Sequence, residues 1–559
     1  MALIGSLCFE YMRMSKVKFR DIYSKIISIK IWFYGVKSME TKTKSEDNKF
    51  KFAYEDSSAK FNSTHNQLIT IITKSYFDFY SKLYEDIAQN MVNYYMETTK
   101  LYEKYIDMNS PKIGKIPDSP DVLPANGHDI YNYVARYGIG NYQIQAIMKL
   151  DSILDFDKLS KAVRLSVDEE LVLGCRFVEG NPPYWKRLEN IDEVVFCTFE
   201  EVVDVNEAVQ KFLDSPLNMD TDPMVKVKLI RSGQYDTLCI KLNHACCDAT
   251  GTKEYIQLLS EIYSSLGLED GMFTPTPKGR SRKDQDRLFR ELGIEEPDSA
   301  WIPGSDISIT TWAFPWNQGV FSTATNNLAL RFAPGQLDQM KSYAKLRGNT
   351  INNLILAALY RAMLSMGPTA YGLPMQIPIT VDLRRYLPDH KTEGIRNFSG
   401  SVNTWLSMVE NESFDDTLSR AGCMMNEVKN GFPGVQSAIG LERLEKISFQ
   451  ETLAYYQAAS KIDKKISHCP AHWGDKCVPT LANMGIISES LIKFGNSTVT
   501  DAFLTAPIVS TPGLLLVAST YNGILTLGAG FFENTVARED VEKLLNCIKS
   551  ELLEGCKCE

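Results

Sequence analysis

Residues 238–251 read LCIKLNHACCDATG, an apolar run that meets a histidine and then breaks. The run Leu238–Leu242 has the composition of a buried strand, and Asp248 and Gly251 come just before a helical pattern. A histidine at a strand end is held by rigid backbone, and its neutral ring can accept a proton near neutral pH. By spacing alone, a His-x-x-x-Asp match often arises by chance, and a structural histidine is the commoner explanation. The stretch therefore predicts a strand-turn-helix unit and leaves the role of His244 to its surroundings.

The chain around this stretch alternates short apolar runs with helical patterns from residue 128 onward. This alternation predicts an α/β (α+β) fold. The predicted strands are Gln145–Leu150, Tyr184–Leu188, Met224–Arg231, Thr237–Asn243, Asn327–Phe332, Met375–Asp382, Leu514–Tyr521 and Ile524–Gly530. The predicted helices are Phe156–Val167, Val203–Asp214, Lys253–Ser265, Pro334–Arg347, Ile351–Met366 and Arg538–Leu553.

The composition limits the class of protein. The chain has 559 residues, of which 44% are hydrophobic, so we expect two to four compact units rather than one small domain. Its 60 basic and 69 acidic residues give a formal charge of −9, which provides no electrostatic footprint for nucleic acid. Twelve scattered cysteines, including adjacent Cys246 and Cys247, are typical of free thiols in a reducing compartment. We therefore predict a cytoplasmic protein that does not bind nucleic acid.

Residues 1–62 are predicted to form a basic leader and a polar linker. Residues 1–38 carry seven basic and two acidic side chains, so their charge of +5 leaves −14 for the rest of the chain. No window approaches the roughly 20 apolar residues needed to cross a bilayer, so the chain is not expected to span a membrane. Two interpretations of the leader stay open. It is either an amphipathic segment in peripheral contact with anionic lipid, or a leader without such a role that precedes a start at Met39.

Residues 63–110 have the spacing of one long amphipathic helix, because apolar residues recur every three or four positions between 66 and 106. A helix of this length cannot bury its apolar stripe alone, so we expect residues 66–106 to support a homo-oligomer or to dock onto the following domain. Four prolines mark residues 111–127 as a stiff connector. The body is predicted to divide into an N-terminal lobe at 128–269, a crossover linker at 270–312 and a C-terminal lobe at 313–559.

Further peptides occur in a set order on both sides of His244. They are FDKLSKAV from Phe156, CRFVEG from Cys175, SPLNMD from Ser215, DPMVKV from Asp222, VDLRRYLP from Val381, RNFSG from Arg396, TLANMG from Thr480 and LTLGAGF from Leu525. Over roughly residues 125–555, this ordered set resembles the chloramphenicol acetyltransferase-like superfamily, which includes condensation domains, polyketide-associated acyltransferases and wax ester synthases. The resemblance implies two lobes around a central cleft, with a thioester donor entering from one face and an acceptor from the other.

The resemblance also assigns roles to residues of the opening stretch. In that family the second histidine of a His-His-x-x-x-Asp-Gly motif carries the chemistry, and His244 matches it. Asp248 matches the aspartate, which usually pairs with an arginine of the other lobe. The Asp-Leu-Arg pattern at residues 382–384 makes Arg384 the expected partner.

The stretch departs from the family pattern at two positions. Asn243 stands where the first histidine is expected, and Ala249 stands where a glycine is expected after the aspartate. We expect Asn243 to support the site through a local hydrogen bond, and Gly251 to help the turn that Ala249 must make. Because only the second histidine is expected to contact substrate, the change at residue 243 should matter less than a change at His244.

The resemblance implies a free-standing acyltransferase in natural-product or lipid biosynthesis. His244 would act as general base while a hydroxyl or amine attacks the thioester carbonyl. Asn483 is a candidate oxyanion or acceptor contact, with a loop-capping role as the alternative. The chain has no P-loop, no carrier serine motif and no adenylation segment. We therefore expect no tightly bound cofactor, and a donor that arrives as acyl-CoA or as the phosphopantetheine thioester of an acyl-carrier protein.

Two other functions stay open. The first is a non-catalytic scaffold of the same fold, in which the N-terminal helix mediates assembly and Asn243 and Ala249 record a relaxed chemical demand. The second is a zinc-dependent hydrolase, because potential ligands cluster within ten residues at His468, Cys469, His472 and Cys477. Their spacing matches none of the paired CxxC layouts, so we expect no metal at this cluster.

Overall fold

The computed structural model describes residues 114–137, 140–267, 271–294, 311–317, 320, 322–367, 369, 371–454, 477–505, 507–510 and 513–556. The predictions for the leader and for the long helix at 63–110 lie outside these ranges. None of the helices within them combines the length and the apolar character that a membrane span requires.

The strands alternate with helices along the chain, as the sequence predicts. The strands are β1 Val122–Pro124, β2 Gly140–Asn141, β3 Gln143–Leu150, β4 Cys175–Val178, β5 Tyr184–Arg187, β6 Cys197–Glu201, β7 Val225–Ser232, β8 Tyr235–Asn243, β9 Thr325–Arg331, β10 Pro374–Asp382, β11 Ser399–Ser407, β12 Pro479–Ile486, β13 Lys493–Phe494, β14 Ser497–Thr505, β15 Ile508–Val509, β16 Leu514–Tyr521 and β17 Ile524–Phe532.

Several of the helices begin at residues whose side chains cap them. The helices are α1 Gly127–Val134, α2 Phe156–Glu169, α3 Val205–Asp214, α4 Ala249–Ser265, α5 Asp284–Glu291, α6 Gln336–Leu346, α7 Ile351–Ser365, α8 Phe414–Lys429, α9 Val435–Glu442 and α10 Arg538–Gly555. Asp155 caps α2 by accepting a hydrogen bond from Lys158 N, and Thr350 caps α7 by accepting one from Asn353 N.

Two mixed sheets of six strands organise the body. The first has the order β13-β14-β3-β8-β7-β6, and the second has the order β11-β10-β12-β16-β17-β9. Each sheet packs its own apolar core. The core face of β8 presents Leu238, Ile240 and Leu242 to the first core, while Leu516 and Leu527 lie in the second. The α/β architecture with two lobes is therefore confirmed.

All of the predicted strands and helices are present, with ends shifted by four residues or fewer. The sheets differ from the predicted division at one point, because β14 leaves the second half of the chain and pairs with β3 of the first sheet. Residues that were assigned wholly to a C-terminal lobe at 313–559 thus complete the N-terminal one. Pairing with β3 places Leu504 and Ala502 in the first core, which is the physical reason for the exchange.

The two predicted connecting segments are partly built into the body. Within the connector at 111–127, β1 pairs with β5, and Leu123 is buried. Within the crossover at 270–312, Arg282 is buried and donates to Asp129 Oδ2 at 2.8 Å, just before α5 begins. These two segments are rich in proline, glycine and charged residues. They pack onto the body through ion pairs and short strands rather than through a long apolar stripe.

Candidate active site

His244 lies directly after β8, in a turn that backbone hydrogen bonds close on both sides. Its amide N donates to Tyr142 O at 2.9 Å, and Cys246 N donates to Asn243 O at 3.1 Å. Ala245 N donates to the side-chain oxygen of Asn243 at 2.9 Å. Asn243 is buried, whereas His244 stays partly exposed. The predicted local hydrogen bond of Asn243 is thus present, and it helps to fix the position of the imidazole.

Asn397 from the other lobe sets the orientation of the His244 ring. Its Nδ2 donates to His244 O at 2.7 Å and to Ala245 O at 3.0 Å, so its Oδ1 must face the imidazole. That Oδ1 lies 2.8 Å from His244 Nδ1. Because an amide oxygen only accepts, Nδ1 carries the ring proton. The neutral ring therefore keeps the lone pair on Nε2, the atom available to act as a base.

Burial lowers the pKa of His244 below its ordinary value of 6.5, against the raising effect of the Asp248 carboxylate. The ring is therefore neutral at neutral pH, which is the form that a general base requires. The ring of Tyr142 packs beside it, with the two ring centroids 5.9 Å apart. Tyr142 bonds to Tyr131, and burial raises the pKa of Tyr142 well above its ordinary value. An uncharged aromatic wall thus borders the base.

Asp248 faces away from solvent and binds three donors. Its Oδ1 accepts from Gly251 N at 2.8 Å and thereby caps α4, and its Oδ2 accepts from Phe398 N at 2.8 Å. Oδ2 also accepts from Arg384 Nη1 at 2.9 Å. Burial alone would raise the pKa of Asp248, but Arg384 and the two amides lower it below its ordinary value. The carboxylate is therefore committed to holding the turn and does not act as an acid.

The structure brings Arg384 to Asp248, the partner that the resemblance implies. Arg384 lies in the 3-10 turn after β10, and Asp382 caps that turn by accepting from Arg384 N at 3.0 Å. Its guanidinium crosses between the lobes and also donates to Arg396 O at 3.1 Å. Burial opposes its charge, but Asp248 raises the pKa of Arg384 above its ordinary value. This charged pair fastens the His244 turn to the end of β10.

Ala249 and Gly251 lie in the first turn of α4, where the backbone is helical. A helical position suits alanine, so the departure from glycine at residue 249 leaves this turn intact. Gly251 is required for another reason. A Cβ at this residue would lie 3.0 Å from the Cβ of Cys247 and 3.3 Å from Arg396 O. The absence of a side chain lets the helix start approach the backbone that carries Asn397.

Asn483 is not joined to His244 by any hydrogen bond within the described part of the chain. It lies inside β12 at a bulge rather than in a loop. Its Oδ1 accepts from Gly485 N at 3.0 Å, and its Nδ2 donates to Asn352 Oδ1 at 3.2 Å. These contacts match the capping alternative, because the side-chain amide of Asn483 accepts from the backbone N–H of Gly485 at the bulge.

The potential zinc ligands His468, Cys469 and His472 lie outside the described residues. Cys477 is described, and burial raises the pKa of its thiol to about 12. Among the residues that the structure describes, no group of three or more His, Cys, Asp or Glu side chains is placed to hold a metal ion.

Sequence reasoning missed Asn397 and Tyr142. The peptide RNFSG from Arg396 carries the family resemblance, yet nothing in it shows that its asparagine reaches His244 153 residues away. The one available signal was a polar side chain two residues before the start of β11. Tyr142 gave a weaker signal still, since a tyrosine before a strand usually belongs to a core.

Comparison with known proteins places this geometry on a recognised fold. No family model matches the chain, and no curated protein matches it. Solved structures do match. Trichothecene 15-O-acetyltransferase from Fusarium sporotrichioides aligns with a TM-score of 0.58 and 13% identity, over 80% of this chain and 98% of its own.

Two other matches have similar extent. The first condensation domain of the CDA synthetase gives a TM-score of 0.56 at 16% identity, covering 78% of this chain and 96% of that domain. Polyketide synthase associated protein 5 from Mycobacterium tuberculosis gives 0.55 at 15% identity, covering 79% of this chain and all of that one. The chain therefore has the chloramphenicol acetyltransferase-like fold that condensation domains and acyltransferases share. The identities are too low to carry a reaction across.

Proposed function

We propose that the chain is a free-standing acyltransferase that moves an acyl group from a thioester to a hydroxyl or amine, with His244 as the general base. The observation that carries the proposal is the hydrogen bond between His244 and Asn397, because it fixes the tautomer in which Nε2 is basic. The same ring stays partly exposed, so Nε2 can meet a substrate.

In the proposed reaction, His244 Nε2 takes the proton of the acceptor as its oxygen or nitrogen forms a bond to the thioester carbonyl carbon. The tetrahedral intermediate then expels the thiolate as the carbon–sulfur bond breaks. The imidazolium returns the proton to the thiolate, so the products are an ester or amide and a free thiol. Asp248 and Arg384 hold the turn that carries the base, and Asn397 holds its ring.

Acyl-CoA or an acyl-carrier phosphopantetheine thioester is the proposed donor, and no bound cofactor enters the reaction. We further propose a cytoplasmic location. The described cysteines are all free thiols, which supports a reducing compartment. Assembly through residues 66–106 and peripheral membrane contact through residues 1–38 stay predictions.

Thiol release tests the proposal directly. The full-length protein is incubated with a panel of acyl-CoAs and acyl-carrier thioesters, with mixed alcohol and amine acceptors. We expect acceptor-dependent release, and we expect His244→Ala to lower kcat/KM by about 10²- to 10⁴-fold, the range of general-base help. In the active protein, kcat/KM should fall as the pH drops below 6.5, because protonation removes the base.

Two variants complete the test. Asn397→Ala should change the pH profile of kcat/KM, since the ring loses the partner that sets its tautomer. His390→Asn is the control for loss of an imidazole, because His390 is exposed and has a left-handed backbone that asparagine readily adopts. Release that is equal in His244→Ala and the unmodified protein excludes His244 as the base. No release from either protein with any donor favours the non-catalytic scaffold.

A further inference from the structure

Strand β7 carries two lysines on the face of the first sheet that lies opposite the first core. Its sequence Val225-Lys226-Val227-Lys228-Leu229 alternates, and the valines and the leucine lie in the first core. The lysines therefore point to the opposite face, on which α3 packs, although 39% of the Lys226 side chain stays exposed. Lys241 of the neighbouring strand lies on this same face, directly across from Lys226. Like charges placed opposite each other destabilise a sheet pair, so this face favours nearby anions.

These lysines line a cavity of about 610 Å³ between the sheet and α3. Lys211 lines it from α3, and Lys226, Lys228 and Lys241 line it from the sheet. Asp222 is the acidic residue among the lining side chains. Hydroxyl groups and the apolar surfaces of Phe196 and Phe212 complete the wall. The cavity thus combines several cationic donors with an apolar wall large enough for an organic group.

The lysines differ in how they are held. Lys241 is only 2% exposed and donates to Phe212 O at 2.7 Å and to Ser215 Oγ at 3.2 Å, so the chain itself holds its amine at the base of the cavity. Burial, and then Lys226, lower the pKa of Lys241 to about 7. Lys226 pairs with Asp222 at 2.6 Å, and Lys228 pairs with Glu200. Both of these partners are partly exposed, so an entering anion can compete for the two ammonium groups.

We propose that this cavity binds a small molecule that carries a diphosphate group, at a site separate from His244. Lys226 and Lys228 lie on one strand face, about 7 Å apart at the backbone, so each ammonium group can bind a different phosphate of a linked pair. Lys211 approaches from the facing helix and completes the cationic set. The apolar wall accepts the organic part of the ligand. The proposal does not depend on acyl transfer.

Calorimetric titration of the full-length protein with sodium pyrophosphate tests the site, with ionic strength held constant by sodium chloride. We expect one saturable site. Lys226→Ala and Lys228→Ala should each weaken binding at least tenfold, while Asp222→Asn should tighten it threefold or more by removing the competing carboxylate. ADP should displace pyrophosphate if the apolar wall receives an organic group. Pyrophosphate binding that ADP does not displace would support an inorganic diphosphate as the ligand.

Two controls separate this site from general electrostatics and from the proposed reaction. Lys186→Ala removes an exposed lysine that pairs with Glu189 on the same lobe, and it should leave the affinity unchanged. His244→Ala should also bind pyrophosphate normally. Heat that does not saturate with either probe, or an affinity that is equal in the unmodified protein and in both lysine variants, would overturn the proposal.

Discussion

Arg384 and Arg396 lie twelve residues apart between β10 and β11, and both are buried, but they are paired in opposite ways. Arg384 donates to the carboxylate of Asp248 and to a backbone carbonyl, and the charges of Asp248, Glu254 and Asp382 raise its pKa against the effect of burial. Arg396 lies in ion-pair contact with Asp284, yet among the described residues its guanidinium nitrogens find no acceptor in hydrogen-bonding geometry. Burial, and then the nearby Arg282, lower the pKa of Arg396 to about 10.

The difference teaches that burial alone does not identify the arginine on which the site depends. Asp248 accepts from three donors at once, and Arg384 donates both to Asp248 and to Arg396 O, while its Nε lies 3.5 Å from Glu254 Oε1 without a hydrogen bond. Arg396 contributes mainly its backbone, because Arg396 O accepts from Asp248 N and from Arg384. The side chain of one arginine and the carbonyl of the other therefore hold the same turn.

The largest effect is expected at the well-paired arginine. Arg384→Met leaves the buried carboxylate of Asp248 without its counter-charge, so we expect a loss of about 3–5 kcal/mol in the free energy of unfolding. Urea denaturation followed by circular dichroism measures the loss. The free energy of unfolding of Arg384→Lys should lie between those of the unmodified protein and Arg384→Met. Arg385→Met is the control, since Arg385 is exposed beside it. Equal losses at residues 384 and 385 would break the contrast.

A smaller effect is expected when both members of the second pair are replaced. Arg396→Met combined with Asp284→Asn should change the free energy of unfolding by no more than about 1 kcal/mol or raise it, because the pair lacks complementary hydrogen bonds. The matching double variant, Arg384→Met with Asp248→Asn, should lose about 1–3 kcal/mol, since one amide oxygen replaces two for Gly251 N and Phe398 N. Both are measured by urea denaturation. Similar losses would show that the two pairs are equivalent.

The last effect depends on pH and concerns Glu170, which binds the backbone beside Arg396. Glu170 accepts from Ile395 N at 2.9 Å, and burial raises its pKa to about 7. The folded state therefore holds this proton more tightly, and the stability it contributes is lost as the pH rises from about 4.5 through 7. Glu170→Gln should gain stability relative to the unmodified protein over this range, measured by thermal unfolding. Glu201→Gln at an exposed position is the control, and a difference independent of pH would contradict the assignment.

Local sequence patterns predicted those elements that depend only on residues close together in the chain. The strand that contains residues 238–242 and the helix that follows Asp248 both depend on neighbours within a few residues. The pairing of Asp248 with Arg384 was expected only because the ordered peptides resemble a known family. No periodicity or spacing in the chain connects those two positions.

Other features could not be predicted because they depend on contacts between distant segments. Asn397 acquires its role from a turn that lies 153 residues earlier in the chain. The alternation in β7 shows that Lys226 and Lys228 share a face, but not that α3 covers that face and encloses a cavity. The capping alternative for Asn483 assumed a loop, whereas pairing of β12 with β16 keeps the segment extended apart from a bulge.

Strand β14 has a consequence for how the chain is made. It pairs with β3, and about 350 residues separate the two strands along the chain. At ribosomal rates of about 5–20 residues per second, β3 is synthesised roughly 20–70 s before its partner emerges. During that interval one edge of the first sheet stays unpaired and can pair with another nascent chain. Synthesis of the last sixty residues therefore ends the period in which the growing polypeptide is most exposed to aggregation.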